Sequence, residues 1–326
     1  MKSKWYYIVL IIFLMVSCQN SDVSLAPIKI EECMSMPTPT ASGTWFVYDD
    51  KIYLLGGRTA DGKYSKEYWQ YTPSTDQWQS LGEMPIKARV SASACVVGDC
   101  AYIGLGYSGP IHRDNTYLRD FWELNLITNE WTRLADFPAN TTVKNCLFAT
   151  NDHIYATYGF YRQFTQDIYQ YSIPDNEWKK LDIEVSRQIP RAMDVVGATC
   201  QGRHFLGTGF NHGSLRFWAE WIPEKQQLVR CKDILGTGRN AAACCATDEY
   251  IYLAGGRHYG DTLTTGFFYS SIQRYDPSTN QWEYIGNMPY EAENMVAIGI
   301  KKQLFIGLGE TRDGVIQDKW YKIEEQ

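Results

Sequence analysis

The sequence predicts an all-β fold built from six repeated units, and three observations support this prediction. A glycine follows an apolar, strand-like run six times, at intervals of 49, 53, 50, 47 and 53 residues: Gly57, Gly106, Gly159, Gly209, Gly256 and Gly309. An aromatic pair with six residues between its members follows most of these glycines. Outside the N-terminus no stretch has the apolar periodicity of a helix. Because glycine weakens a strand, its regular return at strand ends indicates an architectural need.

The aromatic pair is the second repeated feature. It occurs at Tyr71/Trp78, Tyr171/Trp178 and Tyr275/Trp282, with Leu124/Trp131 as a variant and Trp221/Leu228 as an inverted copy. Turn-forming residues lie between the partners, as in "TPSTDQ", "SIPDNE" and "DPSTNQ". With four short strands per unit, this pattern resembles the kelch repeat, whose units form the blades of a β-propeller. The resemblance covers residues 25–326 and implies one domain of six blades, against an open or miscounted array.

The chain ends predict how the ring closes. In the sixth unit Tyr321 lies twelve residues after Gly309, as Tyr171 lies twelve after Gly159, and the chain stops before a tryptophan position is reached. Near the N-terminus Met36-Pro37 repeats a dipeptide that follows the outer strand of other units, which places Ile30 at the tryptophan position. We therefore expect residues 30–37 to supply the outer strand of the last blade, because closure removes exposed sheet edges.

Residues 1–17 have the layout of a secretory signal, with Lys2 and Lys4 before an apolar run from Trp5 to Val16. Ser17-Cys18 resembles the lipobox of bacterial lipoproteins, which implies that Cys18 carries lipid and that residues 18–24 form a short tether. Gln19, rather than aspartate, favours the outer membrane by the same resemblance. The alternatives are a plain signal peptide or a membrane anchor, although the run is shorter than the ~20 residues needed to span a bilayer.

Charge and cysteine usage exclude some functions. Removing residues 1–17 takes away two lysines and no acids, so the formal charge changes from −6 to −8, a poor balance for binding nucleic acid. Eight cysteines remain after Cys18, and most fall in strands of different blades, so small apolar packing residues are favoured over disulfides. Cys95 and Cys100 flank one turn, and Cys244 and Cys245 are adjacent, so these two pairs are the alternatives in which cysteines meet. Five scattered histidines predict no metal site, and no cofactor motif is present.

Candidate ligand-binding residues follow from the kelch resemblance, which implies that the loops after the glycines and between blades share one face around a central channel. The residues directly after the six glycines should ring the channel mouth: Arg58, Tyr107, Phe160, Phe210, Arg257 and Glu310. Further candidates lie in the inter-blade segments and long loops: Arg89, Arg191, Arg239, His112, Tyr161, His212, His258, Tyr259 and Arg312. Arginine forks bind carboxylates and aromatic rings stack on sugars, so this mixture favours an acidic carbohydrate. Alternatively, several arginines pair with Glu293, Glu310 or Asp194 as structural supports.

The sequence leaves the activity open among three classes. The predicted function is a lipid-anchored envelope propeller that binds or handles carbohydrate, with possible protein partners and no nucleic acid. A sugar epimerase or mutarotase is the enzyme alternative, by resemblance to bacterial N-acetylneuraminate epimerases, in which a glutamate and an arginine six residues further on act on the sugar. Here Glu310 has Ile316 at that distance and Arg312 only two residues away. A protein-interaction scaffold is the third class. The similar central kelch domain of galactose oxidase relies on a copper site that this chain lacks in sequence.

Overall fold

The strands follow from short apolar runs separated by glycine-rich and Asx-rich turns. The computed structural model describes residues 28–110, 113–139, 145–160, 162–183, 185–259 and 266–325. In chain order its strands are β1 (Ile28–Glu32), β2 (Thr40–Ala41), β3 (Thr44–Tyr48), β4 (Lys51–Leu55), β5 (Arg58–Thr59), β6 (Glu67–Thr72), β7 (Gln77–Glu83), β8 (Ser93–Val97), β9 (Cys100–Gly104), β10 (Phe121–Asn125), β11 (Trp131–Arg133), β12 (Cys146–Ala149), β13 (His153–Thr157), β14 (Ile168–Ser172), β15 (Glu177–Lys180), β16 (Val196–Cys200), β17 (Arg203–Gly207), β18 (Trp218–Ile222), β19 (Gln227–Arg230), β20 (Ala243–Ala246), β21 (Ile251–Ala254), β22 (Arg257–His258), β23 (Phe267–Phe268), β24 (Ser271–Asp276), β25 (Gln281–Asn287), β26 (Val296–Ile300), β27 (Gln303–Gly307) and β28 (Trp320–Glu325). Two 3₁₀ turns occupy Asp114–Thr116 and Pro223–Lys225.

These strands form six antiparallel four-stranded sheets. Blades 1 to 5 are β3-β4-β6-β7, β8-β9-β10-β11, β12-β13-β14-β15, β16-β17-β18-β19 and β20-β21-β24-β25, each written from the channel outwards. Blade 6 is β26-β27-β28-β1. The first strand of every blade packs against the first strands of its two neighbours, which closes the ring. The prediction of an all-β, six-bladed propeller is therefore confirmed.

The N-terminal strand closes blade 6 as the sequence predicts. β1 pairs antiparallel with β28, and Ile30 lies opposite Ile323 in the way that Trp78 lies opposite Tyr71 in blade 1. The structural counterpart of Tyr71 is thus Ile323, not Tyr321. Counting from Gly309 misplaced this position by two residues, because the loop between the second and third strands varies in length from blade to blade.

The aromatic pairs join neighbouring blades, which explains their recurrence. In blade 1 the rings of Tyr71 and Trp78 lie 4.9 Å apart, and the Tyr71 hydroxyl donates to Asp76. The Trp78 indole N–H donates to the carbonyl of Met34, just after β1, over 3.0 Å, and the amide of Met34 donates to Asp76 over 2.8 Å. The same arrangement links blade 3 to blade 2 and blade 5 to blade 4, through Trp178 with Asn176 and Trp282 with Asn280.

The glycines are required by contacts between blades. The amide of Gly209 donates to the carbonyl of Arg239 in the segment entering blade 5, over 2.9 Å, and Gly57, Gly256 and Gly309 make the equivalent bond. Gly209 has φ +95, and an added Cβ would lie 2.5 Å from the carbonyl oxygen of Met193. A side chain at this position would therefore meet both backbone strain and a clash with another segment.

Replacing Gly209 with alanine should destabilise the protein by at least about 1–3 kcal/mol, the usual cost of a strained backbone position, because the clash adds to the strain. Gly213→Ala in the same blade is the control, since nothing lies within 4 Å of its added Cβ. Thermal melts of the two variants measure the difference. Equal melting temperatures would show that the glycine is not needed for blade contacts.

Candidate functional site

The residues after the six glycines occupy equivalent positions on one face of the propeller. We call this the mouth face; it carries the loops after the glycines and the segments that link successive blades. Five of these residues pair through the backbone with one of these segments, as Tyr107 does with Val90 and Phe210 with Met193, and Phe160 forms a bridge with Phe164 in its own loop. All six side chains are partly exposed at this face: Arg58, Tyr107, Phe160, Phe210, Arg257 and Glu310. The repeat thus displays six variable side chains at equivalent positions on this face, and a central cavity of about 530 Å³ is lined mainly by the first strands of the blades.

Charged side chains from blades 5, 6 and 1 form what we call the charged row: Arg257, Glu293, Glu310 and Arg58. Arg58 forms an ion pair with Glu310, and Arg257 lies 3.8 Å from Glu293. Glu293 and Glu310 are joined by a backbone bridge, so the two pairs are adjacent. The side chains are 16% exposed for Glu293, 20% for Glu310 and Arg257, and 34% for Arg58, which leaves each group within reach of a solute.

Aromatic rings cover the neighbouring part of the same face and form the aromatic row: Phe160, Phe164, Phe210 and Tyr259. Ring centroids lie 5.3 Å apart for Phe160 and Phe164, 6.1 Å for Phe164 and Phe210, and 5.0 Å for Phe210 and Tyr259. The Arg257 guanidinium lies 4.1 Å from the ring centre of Tyr259, so the two rows meet at that residue. His212 contacts Phe164 at 5.3 Å.

Two predicted ligand-binding arginines lie in the protein interior instead. Arg89 is 1% exposed and forms a two-pronged ion pair with Asp120, at 3.2 Å and 2.6 Å. Arg239 is 0% exposed and donates to the carbonyl of Gly255 and the hydroxyl of Ser271. Their placement at the channel mouth was wrong, because both side chains turn back under the blade that their segment enters. Arg89 is a structural support, but its partner is Asp120 and not one of the carboxylates that the sequence analysis named.

The remaining candidates are distributed around the mouth face. Arg191 and Arg312 are exposed, and the backbone carbonyl of Arg191 accepts a hydrogen bond from Asn211. His258 is partly exposed, its Nδ1 lies 2.8 Å from the carbonyl of Gly238, and its ring contacts Phe267. His112 and Tyr161 lie outside the described residues.

Glu293 was predicted only as a structural partner, yet it lies as centrally as Glu310. The sequence signal that could have found it is its position sixteen residues before Gly309, where the other described blades have Ala41, Val90, Met193 and Asn240. The equivalent residues of these four blades are uncharged, so the carboxylate of Glu293 makes blade 6 chemically distinct at this position. Two adjacent carboxylates, each beside a guanidinium, can accept hydrogen bonds from hydroxyl groups and can in principle exchange protons with a bound solute.

Among the described residues the cysteines form no disulfide and belong to no metal-binding cluster. The eight cysteines from Cys33 onwards are all free thiols. Cys95 lies in β8, and burial raises the pKa of its thiol to about 12, which makes it unreactive near neutral pH. Among the described residues there is no group of three or more His, Cys, Asp or Glu side chains arranged to hold a metal ion.

The fold and the ringed mouth face together define a propeller of the kelch type, and comparison with protein families gives the same answer. Residues 13–209 match the KLHDC2/KLHL20/DRC7 Kelch-repeats domain, and residues 238–289 match the Kelch motif. The chain belongs to the kelch-repeat family.

The curated relatives carry two kinds of name, kelch-like protein and N-acetylneuraminate epimerase. Kelch-like protein terF of Aspergillus terreus is 27% identical over 285 residues, covering 84% of this chain and 50% of that protein. N-acetylneuraminate epimerase of Pasteurella multocida is 26% identical over 245 residues, covering 72% and 56%. The corresponding epimerase of Haemophilus influenzae is 22% identical. The chain spans about half the length of the curated relatives it matches.

A solved structure supports the fold alone. "Structure of YjhT" superposes with a TM-score of 0.72 at 14% sequence identity, covering 90% of this chain and 97% of that one. At this identity the architecture is shared, whereas side chains on the mouth face have to be assessed on their own.

Proposed function

We propose that this protein binds carbohydrate on the mouth face, with acidic sugars as the preferred class. The observation that carries the proposal is the meeting of the aromatic row and the charged row at Tyr259 and Arg257, 4.1 Å apart. A sugar ring has apolar C–H faces that pack on aromatic rings and hydroxyl groups that donate to carboxylates. A ligand lying across the boundary would use both kinds of contact at once.

The arginines favour an acidic ligand over a neutral one. Arg58 forms an ion pair with Glu310 and Arg257 lies 3.8 Å from Glu293, and the five N–H donors of the Arg58 guanidinium are more than one carboxylate can use. Arg58 is the more exposed of the two and remains open to solvent on one side. A sugar carboxylate can therefore bind to Arg58 without displacing Glu310. The epimerases among the relatives are named for N-acetylneuraminate, a sugar acid, which agrees with this class.

An epimerase or mutarotase activity is a second candidate, favoured by the neighbouring carboxylates Glu293 and Glu310. Such a reaction needs a group that takes a proton and a group that returns one. Glu293 and Glu310, which lie in adjacent segments, supply the two proton-exchanging groups that such a reaction requires. The glutamate-to-arginine spacing of the epimerases does not recur, since Ile316, six residues after Glu310, forms a backbone bridge with Glu310 itself. A scaffold for a protein partner is the third candidate.

A ligand screen distinguishes these candidates. The chain from residue 19 onwards is melted with N-acetylneuraminate, with glucuronate and with neutral sugars such as galactose and N-acetylglucosamine. Binding to an acidic ligand stabilises the folded state, so the melting temperature should rise with the sugar acids and not with the neutral sugars. NMR of a bound sugar then tests for exchange between anomers or epimers. If no sugar raises the melting temperature, the scaffold candidate gains support.

We further propose that the protein is held at the bacterial outer membrane by a lipid on Cys18. The support is the sequence alone, since Cys18 lies outside the described residues. No helix among the described residues is both long enough and apolar enough to cross a membrane.

Cys18→Ser should move the protein from the detergent phase to the aqueous phase when it is produced in a host that processes lipoproteins, because the thiol is the attachment point of the lipid. Cys33→Ser is the matched control and should leave partitioning unchanged. Phase separation followed by immunoblotting measures the distribution. A Cys18→Ser protein that stays with the detergent would indicate another anchor.

A further inference from the structure

Arg89 and Arg239 are equivalent residues in two blades, and the comparison between them reveals an unusual site in blade 5. Each lies seventeen residues before the glycine of its blade. Each donates through Nη1 to the carbonyl of the residue that precedes that glycine, Leu105 in blade 2 and Gly255 in blade 5. The two guanidinium groups thus occupy the same place in the repeat.

The partners of the two arginines differ in charge. In blade 2 the Arg89 guanidinium is paired with the Asp120 carboxylate. Burial acts to raise the pKa of Asp120, but the hydrogen bonds and the charge of Arg89 hold it below its usual value. Asp120 lies four residues before Leu124 in blade 2. The counterpart of Leu124 in blade 5 is Tyr275, and four residues before Tyr275 lies Ser271, which is therefore the counterpart of Asp120. The Ser271 hydroxyl accepts from Arg239 Nη2 at 3.1 Å.

Arg239 is therefore a buried cation without a counter-charge in the described part of the chain. Its hydrogen bonds go to the carbonyls of Gly255 and Ser271 and to the Ser271 hydroxyl, and its Nε has no partner. The Tyr269 ring lies 4.0 Å from the guanidinium and shields it further. Burial lowers the pKa of Arg239 to about 10, in keeping with the missing charge. A buried, unpaired charge is costly, and proteins normally supply a partner.

We propose that Arg239 and Ser271 bind a small monovalent inorganic anion such as chloride, which supplies in blade 5 the charge that Asp120 supplies in blade 2. Serine has two fewer side-chain heavy atoms than aspartate, so a monatomic anion takes the place of carboxylate atoms in the repeat. Ser271 and Tyr269 are partly exposed, which gives the anion a route from solvent. The site lies under the mouth face and is separate from the charged row. Its existence does not depend on carbohydrate binding.

The experiment compares melting temperatures in potassium chloride and potassium gluconate at equal ionic strength. Gluconate is too large an anion for the site. Chloride should therefore raise the melting temperature of the wild type by about 2–4 °C relative to gluconate, because an anion that binds only the folded state stabilises it. Ser271→Asp restores the blade 2 arrangement and should melt higher than the wild type while losing the chloride dependence. Asp120→Ser should create a second anion site, in blade 2, so its melting temperature should rise more with chloride than that of the wild type.

Crystals soaked in bromide provide a direct reading that does not depend on any variant folding. An anomalous peak beside the Arg239 guanidinium in the wild type, and its absence in Ser271→Asp, would support the site. No peak at Arg239, or equal chloride dependence in the wild type and in Ser271→Asp, would overturn the proposal.

Discussion

A chain that begins at residue 38 should melt at least about 10 °C below one that begins at residue 19, whereas a chain that begins at residue 25 should melt with the longer one. Residues 25–37 contain β1, which is paired with β28 along its whole length. They also contain Met36, which is 3% exposed and packs in a core cluster with Trp320. Removing a buried methionine alone usually costs about 2–5 kcal/mol.

Further losses add to that of Met36. The bonds that Trp78 and Asp76 make to Met34 disappear, so blade 1 loses two of its hydrogen bonds to blade 6. β28 becomes an exposed sheet edge, which favours association between chains. We therefore expect the chain from residue 38 to elute earlier than a monomer in size-exclusion chromatography. The closure would be refuted if all three chains melted together and remained monomeric.

Loss of either arginine of the charged row should weaken binding of a sugar acid by tens of fold or more. Removing one partner from a desolvated, hydrogen-bonded charge pair costs on the order of 2–5 kcal/mol, and 2 kcal/mol corresponds to roughly a thirtyfold change in affinity. Arg58→Ala and Arg257→Ala are the variants, each titrated with N-acetylneuraminate by calorimetry. Both side chains are partly exposed, so the fold should survive.

Lys302→Ala is the charge-matched control for these variants. Lys302 lies in the turn between β26 and β27, its side chain is 79% exposed, and that turn lies on the opposite face of the propeller. It should bind the sugar acid as the wild type does. A sugar acid that binds the wild type and both arginine variants equally would contradict the proposed site.

The glutamates of the charged row separate binding from catalysis. If Glu310 or Glu293 exchanges a proton with the sugar, Glu310→Gln or Glu293→Gln should abolish epimerisation while binding is largely retained, since glutamine keeps the shape and loses the titratable group. If each glutamate only orients its arginine, the substitution should weaken binding, and no turnover should be seen in the wild type. Calorimetry and NMR exchange on the same samples distinguish the two outcomes.

The sequence by itself determined the architecture. The count of six blades, the closure by an N-terminal strand and the pairing of Tyr71 with Trp78 follow from a pattern that recurs about every fifty residues. A periodic pattern is readable because each blade packs mainly on its neighbours, so the same positions meet the same surroundings in every copy. The register error at Tyr321 arose where this regularity fails, in a loop whose length differs between blades.

Tertiary structure decided which polar side chains reach the mouth face and which are buried. Arg58 and Arg89 have the same chemistry, yet Arg58 is 34% exposed and Arg89 is 1% exposed, because Arg58 follows a repeat glycine on the mouth face whereas the Arg89 side chain turns under the blade that its segment enters. Likewise, Glu293 becomes a neighbour of Glu310 only through the bridge between two segments of blade 6. Exposure and charge pairing depend on residues far apart in the chain, so they are fixed only when the blades assemble.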